Sequence, residues 1–332
     1  MLRSAVSLVR LVSAFLLLGA GLFVANFYAS TGPRVHANPS GDLAVPSSGS
    51  FTIVTLSDLK ARSGVLLRAY EEAERCQADA IVVGGDLVQQ NSDFEYRYAT
   101  RLLEKAPAGI PAFLVFGNHE AWDRDDHFSR ERFTGWFGPT QGWFSKRGVL
   151  FVALDTADYA FDEARAREAE AILEKHRPEA ARCVLLSHIL PQVGTALEGK
   201  RGAEKQLRPD DSRRILDLVE RFQVDLVLGG HFHGYAASKH RGTTLLLTGG
   251  GGASLDGPDE FHHFLRVTLG ENGVSHEVVR VDSPHGVEWL RYQGLRRPWA
   301  VLAPLAAVVV ASSIATRKLS RPSSNPNGET DA

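Results

Sequence analysis

Residues 224–234 read VDLVLGGHFHG, an apolar run that ends on two glycines and then on His231 and His233. A short apolar run closed by glycine is the pattern of a buried strand. Side chains just past the carboxyl end of such a strand lie where ligand sites of α/β sheets assemble. Short apolar runs recur upstream in FTIVTL (51–56), AIVVGG (80–85), AFLVFG (112–117), LFVAL (150–154) and CVLLS (183–187), the second and third also ending in glycine. Asp58 follows the first of these runs, Asp86 the second, Asn118 and His119 the third, and His188 the fifth. Any one of them alone reads as a cap or turn residue, Asp58 as an N-cap or Asn118 in a tight turn. Carboxylate, amide and imidazole at five strand ends together point to a metal centre.

Between these runs, 63–76, 92–106, 162–176 and 209–222 read as helices, with Asp210-Asp211-Ser212 at the start of the last as its cap. Beyond them GTTLLLT (242–248), HHFLRVTL (262–269) and VSHEVVRV (274–281) read as strands, the last two joined by a Gly270-Glu271-Asn272-Gly273 turn. An alternating α/β layer followed by antiparallel strands predicts two packed sheets with helices outside.

The whole chain has 332 residues, with 37 Lys plus Arg against 39 Asp plus Glu and a net charge of −2. That balance argues against phosphate-driven nucleic-acid binding and against an acidic disordered chain. Cys76 and Cys183 are the only cysteines, which excludes a disulfide scaffold and a cysteine-based zinc site.

Each end carries an apolar segment. Residues 11–30 are uncharged, with Arg3 and Arg10 before them, and are long enough to span a bilayer. We read 1–30 as an anchor helix; a cleaved signal peptide shares its parts. A second uncharged run fills 298–316, with Arg296 and Arg297 before it and Arg317 and Lys318 after. Two spans predict that the lipid bilayer is a partner, with 31–297 on the outer side and both tails inside. The organisation expected is therefore an anchor (1–30), a linker (31–50), the α/β domain (51–282), a juxtamembrane segment (283–297), a second span (298–316) and a disordered tail (317–332).

The blocks Asp58-Leu59-Lys60, Gly85-Asp86, Gly117-Asn118-His119-Glu120, His188 and Gly230-His231-Phe232-His233 resemble the calcineurin-like metallophosphoesterases. That family's ordered pattern is D-x-H, G-D, G-N-H-[DE], H and G-H-x-H, and the resemblance covers about 51–282. The run GGHFHGYAASKH with LLLTGGGGASL resembles the purple-acid-phosphatase side of the superfamily. The resemblance implies a four-layer α/β/β/α sandwich of two mixed sheets. It also implies one or two divalent ions, Mn, Fe or Zn, and hydrolysis of a phosphomonoester or phosphodiester by metal-activated water. Asp86 would bridge two ions, with Asn118, His188 and His231 completing one site and Asp58 and His233 serving the other. His119, held by Glu120, would act on the scissile phosphate. Mixed nitrogen and oxygen donors fit those metals better than calcium.

Lys60 departs from the pattern, standing where the family has a metal-binding histidine, and Gln89 stands where purple acid phosphatases place a tyrosine. A charged ammonium has donors but no acceptor. It replaces the second cation beside Asp58 and Asp86, or turns outward and leaves a gap for water, or marks a chain that binds a phosphorylated ligand without catalysis. We rank these in that order. TGGGGASL (248–255) reads as a tight loop beside the centre rather than a phosphate cradle, lacking the P-loop lysine. Adjacent His262 and His263 point to opposite faces of a strand. Trp122, Trp136, Phe137 and Trp143, interleaved with basic residues, read as a cluster pinning a long loop, with a substrate-facing lid as the alternative.

Overall fold

The computed structural model describes residues 2–29, 49–192, 206–282 and 286–320. The chain divides into a central unit, Gly32–Trp289, and a terminal unit of Met1–Thr31 with Leu290–Ala332. In chain order the elements are α1 (Leu2–Ala29), β1 (Phe51–Leu56), α2 (Gly64–Arg75), β2 (Ala80–Val83), α3 (Asp93–Leu103) and β3 (Ala112–Leu114). A single turn α4 (Asn118–Ala121) and α5 (Glu131–Phe137) precede β4 (Gly142–Lys146), β5 (Val149–Leu154), α6 (Glu163–His176) and β6 (Arg182–Ser187). Then come α7 (Pro209–Arg221), β7 (Leu226–Gly229), β8 (Tyr235–His240), β9 (Thr243–Thr248), β10 (His263–Gly270), β11 (Gly273–Arg280), α8 (Gly286–Arg296) and α9 (Pro298–Ser320).

One sheet has the order β11-β10-β1-β2-β3 and the other β4-β5-β6-β7-β9-β8. β1, β2 and β3 run parallel, as do β5, β6, β7 and β9. These central strands are buried along almost their whole length, which is why they read as continuous apolar runs. Between the sheets lie Ile53, Phe113, Phe151, Val184, Leu246 and Leu265, with Phe51 and Phe151 packed at 5.8 Å between ring centroids. Outside the second sheet, Leu173 of α6 and Ile215 and Leu218 of α7 pack on Leu150, Leu185 and Val227. Leu66 and Ala69 of α2 are buried outside the first. The result is the predicted sandwich of two mixed sheets between helices.

Several helices begin as their sequences dictate. The Ser92 hydroxyl accepts the Glu95 N–H, and Asp162 accepts the Arg165 N–H. α7 differs from expectation: Pro209 occupies its first turn, so Asp210, Asp211 and Ser212 lie inside the helix. The Ser212 hydroxyl instead donates to the Leu207 carbonyl and accepts the Gln192 N–H, tying the helix start to the chain after β6. α3 stops at Leu103, short of the expected 106. β8, YAASKH, escaped the sequence reading because it alternates polar and apolar residues and exists only by pairing with β9 from Tyr235↔Thr248 to His240↔Thr243.

In the terminal unit, Ser4–Ala29 and Pro298–Arg317 are long and apolar enough to cross a membrane. Their apolar side chains, such as Phe15 and Trp299, are exposed. Within this unit the Tyr28 hydroxyl donates to the Leu295 carbonyl at 3.2 Å. The expected juxtamembrane segment carries α8, and α9 continues to Ser320, four residues into the tail expected to be disordered. The expected linker falls almost wholly outside the described residues, as do 321–332.

Candidate metal centre

The centre forms where the carboxyl ends of both sheets meet, on strand ends that turn through left-handed backbone after β1, β2 and β7. Asp58, Lys60, Asp86 and His231 have φ of 65°, 47°, 53° and 68°, conformations that cost non-glycine residues energy and recur at functional sites. The turns hold one another. The Asp58 N–H donates to the Gly85 carbonyl, the Lys60 N–H to the Asp86 carbonyl, and the His231 N–H to Asp58 Oδ2 at 2.8 Å. Gly85, at φ 101°, lets His188 approach: a Cβ there would lie 2.4 Å from its Nδ1. The glycine loop after β9 backs the site, as its sequence predicted, through Gly251 N–H to Ser57 O and Ala253 N–H to Asp58 O, both at 2.9 Å.

Four donor atoms converge first. Asn118 Oδ1 lies 3.0 Å from His188 Nε2 and 2.9 Å from His231 Nδ1, and Asp86 Oδ1 lies 3.2 Å from His188 Nε2. Asp58, Asp86 and His233 gather at a second locus, with His233 Nε2 3.4 Å from Asp58 Oδ1. Among Asp86, His188 and His231, and again among Asp58, Asp86 and His233, one side-chain donor per residue lies within 4.8 Å of the others. Outer contacts fix the rings: His188 Nδ1 faces the Gly84 carbonyl at 2.8 Å and His233 Nδ1 the Ser254 carbonyl at 2.7 Å. An N–H at those Nδ1 atoms leaves Nε2 as the bare donor, the arrangement metal-binding histidines use.

The electrostatics call for a cation. Burial by itself would raise the carboxyl of Asp58, yet the His233 ring 3.4 Å away and the positive charges of His188 and Lys60 hold it far below the usual range. Asp86 is likewise lowered against burial, chiefly by His188 and His119. Burial would lower His188, but the charges of Asp86 and Asp58 raise it. Asp58 Oδ1 and Asp86 Oδ2 are buried without a hydrogen bond, which is costly for carboxylate oxygens unless a positive group satisfies them. The donor set and these two oxygens fit a divalent metal.

Lys60 points inward. Its ammonium lies 3.7 Å from Asp86 Oδ2, and its side chain is 12% exposed, which rules out the outward-turned arrangement. His119 Nε2 lies 3.8 Å from the same oxygen. The ring of His119 is held by the Gln89 carbonyl, 2.6 Å from Nδ1, rather than by Glu120 as expected. Neighbouring residues of a helical turn project in different directions, and Glu120 instead turns inward. Its carboxylate accepts the N–H groups of Asp86, Gly117 and Val88 at 2.8, 3.0 and 3.0 Å, fixing two ligand loops together. Burial, reinforced by the charge of Asp86, pushes that carboxyl up to about 7.

Tyr159 was missed by the sequence reading. It stands past the end of β5, a central strand to which no site residue was assigned, and its ring meets His231 edge-on at 5.1 Å between centroids. Gly84, Gln89 and Ser254 act through backbone carbonyls, which no residue pattern announces. Trp136 and Phe137 are buried as an apolar cluster, whereas Trp122 lines the cavity beside His119.

The profile described as Calcineurin-like phosphoesterase matches residues 51–235, more than half of the chain. The chain belongs to that family. Among solved structures, this calcineurin-like phosphoesterase is similar to a dimetal phosphatase from Danio rerio, at 14% identity and a TM-score of 0.53, covering 69% of this chain and 98% of that one. It is also similar to GAP50, described as the anchor in the inner membrane complex of Plasmodium, at 13% identity and a TM-score of 0.49 over 72% and 87% of the two chains. No curated protein matches the chain. At such identities the shared property is the fold.

Proposed function

We propose that this chain is a membrane-tethered, metal-dependent phosphoesterase that hydrolyses a phosphomonoester or phosphodiester. The observation that carries the reading is the convergence of Asp86, Asn118, His188 and His231 beside two buried carboxylate oxygens without hydrogen bonds. These four residues would hold one divalent ion, Mn, Fe or Zn. Asp58, Asp86 and His233 would offer a poorer second locus, where the Lys60 ammonium supplies positive charge instead. A bound ion supplies charge neutralisation at the phosphate and lowers the pKa of a water.

The chain's own residues do the rest. His119, with Nδ1 directed at the Gln89 carbonyl, presents Nε2 toward the centre, placed to give a proton to the departing oxygen of the ester. Lys60 Nζ and His119 Nε2 both face Asp86 Oδ2, at 3.7 and 3.8 Å, so the ammonium would serve a phosphate brought to the centre as well as the carboxylate. Glu120 holds the Asp86 and Gly117 turns in register and is a positioning residue rather than a proton carrier.

The two apolar helices support attachment to a bilayer, with 31–297 on the outer side. Lys60 in the histidine position also favours a second reading, a protein of this fold that binds a phosphorylated ligand without turnover. The full chain in detergent, supplied separately with Mn, Zn and Fe, tests both against p-nitrophenyl phosphate and bis-p-nitrophenyl phosphate. Hydrolysis with one of the metals is expected; metal binding without hydrolysis of either ester would select the second reading.

A further inference from the structure

Beside His119 opens a cavity of about 550 Å³, lined among others by Gln89, Asn118, His119, Trp122, Arg124 and Tyr159. Tyr159 is 39% exposed and is the one large apolar side chain exposed among the described residues of 49–282. Its backbone sits at φ 60°, an outlier for an aromatic residue. Such a conformation persists only where its surroundings enforce it.

The enforcement is visible. Arg165 grips Asp158 with both terminal nitrogens at 2.6 and 2.5 Å and also donates to the carbonyls of Asp155 and Ala160, at 3.1 and 2.7 Å. Arg130 donates to Asp155 at 2.6 Å and to Asp158 at 3.2 Å from the other side. Two arginines therefore fix the loop on both flanks of an exposed ring through a set of part-buried polar contacts. Trp122 supplies a second ring to the cavity and is itself held edge-on by Phe128 at 5.2 Å. Asp123 and Asp126 also border the cavity and outweigh the single charge of Arg124, so its charged rim does not favour a second anionic group.

We propose that this cavity seats the leaving group of the ester and that Tyr159 is a specificity-determining residue favouring leaving groups with a flat aromatic ring. The inference rests on the phosphoesterase reading and names its substrate class. Aromatic pairs add to simple burial and prefer offset or edge-on geometries, which a ring fixed at the cavity wall can offer.

The test compares benzyl phosphate with ethyl phosphate, whose leaving groups are both primary alcohols, on the full chain in detergent. The benzyl-to-ethyl ratio of kcat/KM should be well above unity. Tyr159→Ala should lower that ratio about tenfold, the size of one good aromatic contact with its buried area, at unchanged metal content. Tyr159→Phe should keep the ratio. Arg165→Met, which releases the loop, should move it toward the Tyr159→Ala value. A generally damaged fold would lower both rates and leave their ratio alone. Calorimetric binding of benzylphosphonate against methylphosphonate reads the same preference without turnover. Absence of hydrolysis with that binding preference intact would sink the enzymatic reading and keep the aromatic subsite. An unchanged ratio in Tyr159→Ala, in rates or in binding, would overturn the proposal.

Discussion

Gly85→Ala probes whether the turn after β2 is shaped for His188. The added methyl would stand 2.4 Å from His188 Nδ1, 2.9 Å from its Cγ and 3.1 Å from the Gly117 Cα, on backbone at φ 101°. Left-handed backbone costs an alanine about 1–2 kcal/mol, and overpacking a filled site adds about 1–3 kcal/mol. The sum, roughly 2–5 kcal/mol, corresponds to a fall in Tm of about 5–20 °C for a domain of this size. The imidazole can escape only by leaving the Gly84 carbonyl, which carries Nε2 away from Asn118 Oδ1. Thermal unfolding followed by circular dichroism, with metal content by elemental analysis, reads both effects. Gly109→Ala is the control: its φ is 83° but nothing lies within 4 Å of a new Cβ, so only the backbone cost of about 1–2 kcal/mol applies. If Gly85→Ala matched Gly109→Ala in Tm and kept its metal, the packing argument for the His188 seat would be refuted.

Other outcomes follow from the same geometry. His119→Ala should lower turnover by roughly 10²–10⁴-fold with metal content unchanged, and near-normal activity would remove His119 from proton transfer. Lys60→His should raise metal occupancy above that of the parent chain in elemental analysis, because a charged ammonium repels an ion at the second locus; equal occupancy would mean that Lys60 does not compete. Burial lowers the pKa of His263 from its ordinary 6.5 to about 4, so the folded chain resists a proton that the unfolded chain takes up. The His263 contribution to stability should accordingly be lost as pH drops from about 6.5 to about 4, against the opposite contribution of Glu120 over the same range, and is read as the difference between the parent chain and His263→Phe in urea titrations. Reporter fusions at residues 40 and 325 should lie on opposite sides of the membrane, and recovery of the protein without detergent would contradict the anchored reading.

The fold was legible because its central strands are buried on both faces, which writes them as nearly uninterrupted apolar runs. β1 from Phe51 to Leu56 coincides with its apolar run, and the β10–β11 turn closes at Gly270↔Gly273 as its residues dictate. Edge strands are another matter. β8 and the short β4 carry mixed sequences whose extended form depends on a partner found only after folding. The centre divides the same way. Side chains with ligand chemistry at strand ends announced themselves, and the structure brings Asp58, Asp86, Asn118, His188, His231 and His233 together. What fixes them did not show, because backbone carbonyls from Gly84, Gln89 and Ser254 carry no residue identity. The duty of Glu120 was misassigned for a related reason: adjacency in sequence suggested contact with His119, while helical geometry turned its carboxylate toward three backbone N–H groups.

The most direct test of the central claim is phosphoester hydrolysis measured against bound metal per chain. The full protein would be stripped with chelator, returned to a chelator-free detergent buffer and titrated with Mn, with bound ion and p-nitrophenyl phosphate turnover read on the same samples. With Lys60 charged beside Asp86, activity should be absent without metal, rise in proportion to occupancy and level off at about one ion per chain. Turnover that persists in the stripped protein, or a fully loaded protein that hydrolyses no ester, would contradict it.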